Sequence, residues 1–488
     1  MNQEVGESGR GRGTWAELFR GERAVYTVVL NLGIALHAID VFVIASIMPT
    51  VVGDIGGAAF YAWATMLYMV ASILGTAGGG LLKAALGARR GYALGGLIFL
   101  LGTAICGLSP TMAVLLAGRL VQGVGGGLLL SQALALVSEL YPPEVRTRIL
   151  ALISAIWGVA ALIGPLLGGV FAEIGWWRGA FWSTVPIILA FTALAWAFLP
   201  RQAAPGRFPR FPIRRLGMLA LGVLSAGLAG SAPDLLGGAG AAGKPAAAGI
   251  PMLALQGMLL AAALLLLLRS FRLDAAAETR LFPPRPLAPG TPVGAAYWIF
   301  LLFSVTHTTL GMFLPLALQV LHGVGELAAG YSVAVFALSW TAASFAAAGW
   351  RGRAERAAII GGPALAALCL ALLTLTVADG PAAPIYGLVI GIGLGIGAGN
   401  LHLMAVTMRI AEPGHESLTA SSIQSVRVLG ISLGAAGAGL AANAAGLGHG
   451  LDPENVRRAV LWVYGLATLA PTAGAVMALR LLRMTAGR

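Results

Sequence analysis

Fourteen strongly apolar stretches run through the 488 residues, and only Asp40, Arg119 and Arg427 place a permanent ionisable group well inside one of them. The stretches are 17–30 residues long, and crossing a hydrocarbon core as a helix takes about 20. Within lipid, backbone polar groups must be satisfied internally, which leaves helices or a closed barrel. A barrel would show short alternating segments, and this chain has none. Hydrophobic residues make up 58% of the chain and charged residues 10%, against about a quarter charged in a soluble protein. The fold class expected is an all-α polytopic membrane protein. A charge near a bilayer centre costs roughly 2.5–3.5 kcal/mol, so each of the three retained charges marks either a functional site or a structural ion pair between helices.

The spans are expected near 25–49, 58–80, 91–109, 111–138, 148–172, 180–199, 213–232 and 250–268, then 293–321, 327–349, 357–378, 383–408, 418–446 and 459–482. Basic residues orient them. With the N-terminus inside, 25 of the 31 Lys and Arg fall in inner segments, and only Arg178, Lys244, Arg457 and Arg458 fall outside. That imbalance is the positive-inside pattern, and an odd number of missed spans would have scrambled it. Both termini are therefore expected in the cytoplasm, with no cleaved leader. The net charge of +12 then faces anionic headgroups, so no nucleic-acid partner is expected. Cys106 and Cys369 lie in apolar spans without ligand or redox spacing.

Five prolines among charged residues make 269–292 a cytoplasmic connector. The expected organisation is a cytoplasmic segment 1–24, a six-helix half 25–199, two inserted helices in 200–268, the connector 269–292, a second six-helix half 293–482 and a cytoplasmic tail 483–488. Duplicated helical sets of this kind bind substrate between the halves, near the midplane.

The fifth span carries Gly158-Val-Ala-Ala-Leu-Ile-Gly164-Pro165-Leu-Leu-Gly168-Gly169. Glycines four apart bare one helix face for close packing, and the proline loosens the helix. The first span reads Leu36-His37-Ala-Ile-Asp40, the fourth Arg119-Leu-Val-Gln122-Gly123-Val-Gly125, and the thirteenth runs from Ala420-Ser421 through Arg427 to Gly430 and Gly434. Trp176-Trp177-Arg178 precedes the sixth. Together these resemble, in order, the motifs of the fourteen-span drug:proton antiporters of the major facilitator superfamily. The resemblance implies two six-helix halves plus two inserted helices, alternating access and proton-coupled export. One motif departs. The loop after span two, Gly80 to Arg90 through Gly87 and Arg89, has Ala84 where the family carries an acidic residue that latches the cytoplasmic side. A more easily opened inner gate is expected.

Helix rise sets Asp40 and Arg119 about 12–13 Å below the outer ends of their spans, at one level. Burial favours the neutral acid and a neighbouring guanidinium favours the carboxylate, so separating or wetting such a pair moves a proton. His37, one turn before Asp40, either tunes that site or is hydrogen-bonded within the bundle. The second half has no deep carboxylate. Its polar candidates are His307, Asn400, His402, Gln424 and Arg427, the last either binding an anionic group or capping a packing network. Gln122, Trp157 and Trp340 are further cavity candidates. One deep acid suits lipophilic neutral or monocationic substrates better than dications.

The glycine runs 123–127 and 391–399 lie inside apolar spans and lack the strand and ribose-binding acid of a nucleotide fold. There is no Walker lysine motif, nucleophile–base set or metal-ligand cluster. No cofactor, metal or catalytic residue is expected, and the chain is not expected to be an enzyme. The expected partners are a small molecule, protons and membrane lipids, the protein acting as a monomer in the bacterial inner membrane. A dedicated exporter of a lipid, siderophore or other metabolite remains the alternative; a proton-coupled importer or a non-transporting receptor follows behind.

Overall fold

The computed structural model describes residues 15–201, 212–237, 252–277, 280–283, 285–412 and 416–485. Most of the expected N-terminal segment and the last three residues of the tail lie outside these. The described secondary structure is helical throughout. The first half comprises α1 (Glu22–Ile55), α2 (Trp63–Gly107), α3 (Met112–Leu140), α4 (Pro143–Glu173), α5 (Arg178–Trp182) and α6 (Val185–Phe198). An inserted hairpin follows, α7 (Ile213–Gly237) and α8 (Met252–Ala275). The second half comprises α9 (Pro292–His322), α10 (Glu326–Ala347), α11 (Arg353–Thr376), α12 (Ala382–Arg409), α13 (Glu416–Ala444), α14 (Pro453–Ala467) and α15 (Leu469–Thr485).

Local chemistry accounts for the ends. Pro292 and Pro453 open α9 and α14, where a missing amide costs nothing. Thr291 and Asp452 cap them by accepting from the amides of Gly294 and Asn455 at 3.1 and 3.0 Å.

Among the described residues thirteen helices, rather than fourteen, are long and apolar enough to cross a membrane. The difference lies where a loop was expected after span two. Helical geometry runs from Trp63 to Gly107 on both sides of one non-helical residue, Gly87, with φ 80° and ψ 166°. Glycine reaches that conformation without a Cβ clash, so one residue makes the break. The connector is likewise shorter than expected, because α8 continues to Ala275. Its end is clipped by buried Asp274, which accepts from Arg215 at 2.6 Å and from the amides of Leu281 and Phe282 at 2.9 and 3.0 Å.

Glycine sets how closely the helices approach. A Cβ on Gly123 or Gly127 would stand 2.3 or 2.2 Å from the carbonyl oxygens of Tyr68 and Ser72, so α3 lies directly on the α2 backbone. The inserted hairpin packs on α13 and α2, with Trp63 Nε1 donating to Ser231 at 2.7 Å. Hydrogen bonds tie the halves together directly. Tyr61 donates to the Met312 carbonyl at 3.2 Å, and Asn443 donates to the Ala59 carbonyl at 2.8 Å. Gln424 and Trp157 are exposed.

Candidate transport site

Asp40 and Arg119 meet. The Arg119 guanidinium is fully buried, and one nitrogen donates to Asp40 Oδ2 and to Gln122 Oε1, each at 2.6 Å. Its Nε donates to the Ala64 carbonyl at 3.1 Å, and its face lies 4.2 Å from the Tyr68 ring centroid. Gln122 donates onward to Thr103 at 3.0 Å. The planar guanidinium thereby uses its edge on three acceptors and its face on an aromatic ring. The helices are held for this by the glycines of α3: any larger residue at Gly123 would push Tyr68 and Arg119 apart.

His37 sits one turn before Asp40 and is buried. Its Nδ1 shares a 2.7 Å hydrogen bond with the Tyr68 hydroxyl. Its ring stacks on Tyr68 and meets Trp157 edge-on, at centroid distances of 5.6 and 5.8 Å. Tyr68 therefore links His37 to Arg119, a role that sequence reasoning missed. Tyrosine in an apolar span is unremarkable by composition, and only the rotation of α2 against α1 and α3 selects it.

The second half repeats part of this arrangement. His37 and His307 each stand fifteen residues beyond the first residue of α1 and α9. His307 stacks on Phe336 of α10 at 5.0 Å, with the same interplanar angle of 22° as the first pair. Trp340 meets it edge-on at 6.1 Å. The acid is not repeated, since Leu310 stands one turn after His307. Arg427 donates to Asn400 Oδ1 and lies 5.3 Å from the Phe300 ring. Phe300 and Phe336 are the other residues that sequence reasoning missed. His402 is elsewhere: buried, sharing a 3.0 Å hydrogen bond with the Ala347 carbonyl and stacked on Trp350. It joins the C-terminal end of α10 to α12, away from this cluster.

The glycine motif of α4 divides in two. Added Cβ atoms on Gly164, Gly168 and Gly169 would approach Phe42, Ser46 and Leu327 to 2.4, 2.9 and 2.5 Å, so these glycines press α4 onto α1 and across to α10. Gly158 has nothing within 4 Å, and α4 runs unbroken through Pro165. In α2 Gly80 also has open space. Beside Ala84, Lys83 pairs with Glu139 of α3, within the same half. Arg89 lies 5.0 Å over the Trp196 ring, and Arg90 is exposed.

Comparison with known proteins agrees with this architecture. A family model described as Major Facilitator Superfamily matches residues 30–435. A Mycobacterium tuberculosis protein named "Probable multidrug-efflux transporter" is 33% identical over 453 residues, 89% of this chain and 90% of its own. Multidrug resistance protein 3 of Bacillus subtilis is 37% identical over 158 residues, 32% of this chain and 31% of its own. Among solved structures, a POT family transporter in complex with 5-aminolevulinic acid has TM-score 0.64 at 12% identity, covering 93% of this chain and 96% of that one. A D-xylose–proton symporter has TM-score 0.61 at 14% identity, covering 94% and 97%. The chain is an integral membrane transporter, not an enzyme, and belongs to the Major Facilitator Superfamily.

Proposed function

We propose that this transporter is a proton-coupled exporter, an antiporter of lipophilic neutral or monocationic small molecules working by alternating access. It would sit in a bacterial inner membrane with both termini cytoplasmic, as a monomer among lipids. The observation that carries the reading is the buried Asp40–Arg119 pair at mid-depth between α1 and α3. A carboxylate held by a guanidinium stays charged, and one deprived of it in an apolar site takes up a proton. Helix movement that opens the pair toward the outside would load Asp40 with a proton, and movement that restores it with the site open inward would discharge that proton. Each pH unit of gradient supplies about 1.4 kcal/mol per proton.

His37, Tyr68, Gln122 and Trp157 would surround the switch, and His307, Trp340, Asn400, Gln424 and Arg427 would line the opposite wall. The close contacts at Gly164, Gly168 and Gly169 would act as the outer bearing on which the halves rock. Gly87, Arg89 and Arg90 would belong to the inner gate.

The test is reconstitution of wild type and Asp40→Asn in liposomes under an imposed pH gradient, with a lipophilic cationic dye. Flux in wild type that falls at least about tenfold in the variant, dye binding being retained, is the expected result. Equal flux in both would move coupling elsewhere and defeat the reading.

A further inference from the structure

The two deep arginines differ in how their charge is met. Arg119 is neutralised by Asp40, whereas no carboxylate pairs with Arg427 among the described residues. Its partners are the Asn400 amide oxygen and the Phe300 ring face. An amide dipole and an aromatic quadrupole stabilise a cation without cancelling its charge. A charge left in this state at membrane depth is costly and faces the bundle interior or a water-filled cavity.

Its position shows where it points. Gln424, Arg427, Val428 and Ile431 fall at positions i, i+3, i+4 and i+7 of α13 and share one face. Val428 and Ile431 rest on the apolar core of the first half, and Gln424, nearer the cytoplasm, is exposed. That face therefore looks across the seam between the halves. Gly430 and Gly434, three and seven residues beyond Arg427, fall on its other flank, against Leu301 and Val305 of α9. The half-buried guanidinium thus stands between the flank of α13 that meets the first half and the flank that meets α9. Close by are flat apolar surfaces: Phe300, and the His307 ring held between Phe336 and Trp340. His307 follows Phe300 by seven residues, two turns along the same face of α9.

We infer that Arg427, with Asn400 and the His307–Phe336–Trp340 wall, forms an oxyanion-binding subsite that takes the carboxylate, phenolate or similar acidic group of an aromatic substrate. Zwitterions are included, their cationic end being left free. Arginine binds carboxylates through two parallel N–H donors, and Asn400 occupies only one of the five that the group carries. The aromatic wall supplies the stacking surface for the ring bearing the acid. The inference relies on the transport reading for the occupant being cargo, widens that cargo from neutral and monocationic molecules to aromatic acids and zwitterions, and relies on the unneutralised charge for its chemistry.

Equilibrium binding to the purified full chain, at pH 7.5 with no gradient, separates the two. The probes are 2-naphthoate, its neutral counterpart 2-naphthamide and the cation 2-naphthylmethylamine, which share one aromatic body. Wild type is expected to bind the naphthoate about tenfold or more tightly than the amide. Arg427→Gln should bring that ratio close to one by weakening the acid alone, and Arg427→Lys should keep the preference in reduced form. Equal affinity for acid and amide in wild type, tighter binding of the cation, or a preference that survives Arg427→Gln would each overturn the subsite. The wild-type comparison decides the matter even if a variant does not fold. A preference for the acid that accompanies failed proton-driven flux would uphold the subsite and count against antiport alone.

Discussion

The two halves hold the same kind of residue at matched places and use it differently. In each, a histidine fifteen residues into the leading helix stacks on an aromatic ring of the following span. In the first half the ring is Tyr68, whose hydroxyl bonds the histidine and whose face meets Arg119, and an acid completes the set. In the second half the ring is Phe336, with no hydroxyl, no acid follows, and Arg427 stays charged. A duplicated scaffold thus supports a closed, self-neutralised node on one side and an open charge on the other. The closed node suits proton exchange between its own members, while the open one asks for a group from outside the chain.

The largest effect expected from breaking this contrast is on stability. Arg119→Ala strands a buried carboxylate, and removing one partner of a buried pair costs about 3–5 kcal/mol. The matched change Arg427→Ala removes a charge that has no counter-ion, so its thermal unfolding temperature should fall much less, or rise. Equal losses from the two would erase the distinction between closed and open nodes. Next comes packing. Gly169→Ala drives a Cβ to 2.5 Å from the Leu327 backbone across the seam, and such overpacking costs about 1–3 kcal/mol. Gly158→Ala, with nothing within 4 Å, should leave the melting point within error or raise it slightly, and it serves as the internal control. If the two behave alike, the outer contact between halves is not the one described.

Tyr68→Phe makes the first half resemble the second. It should cost about 1 kcal/mol, as for one net hydrogen bond, and shift the pH dependence of flux while leaving Phe336→Tyr with the smaller consequence. An unchanged pH profile would mean that the His37 bond is only structural. The smallest effect belongs to the outer loops. Arg457 donates to Asp379 at 2.7 Å and holds that exposed carboxylate below its usual range. Its contribution is complete above the ordinary value of 3.8 and is lost only as pH falls through the depressed one. Asp379→Asn should therefore lower the melting point slightly and equally at pH 5 and pH 8. A difference between those two pH values would contradict the pairing.

How much of this could be read without coordinates follows from which forces act residue by residue. Span positions and the three deep charges are set by the transfer of each side chain into lipid, so hydropathy suffices. Asp40 and Arg119 were legible as a possible pair because helix rise alone fixes depth. Depth does not fix rotation. That Tyr68 joins His37 to Arg119, that His402 turns away to Trp350, and that Gly164 packs while Gly158 does not all depend on the rotational phase of helices far apart in sequence. The turn at Gly87 was hidden for a related reason, since a polar stretch reads as loop although its backbone hydrogen bonds continue to one residue on either side. The sequence by itself determined which groups must enter the membrane. Only tertiary packing, governed by glycine contacts and helix phase, decided that one buried arginine would find a carboxylate and the other would not.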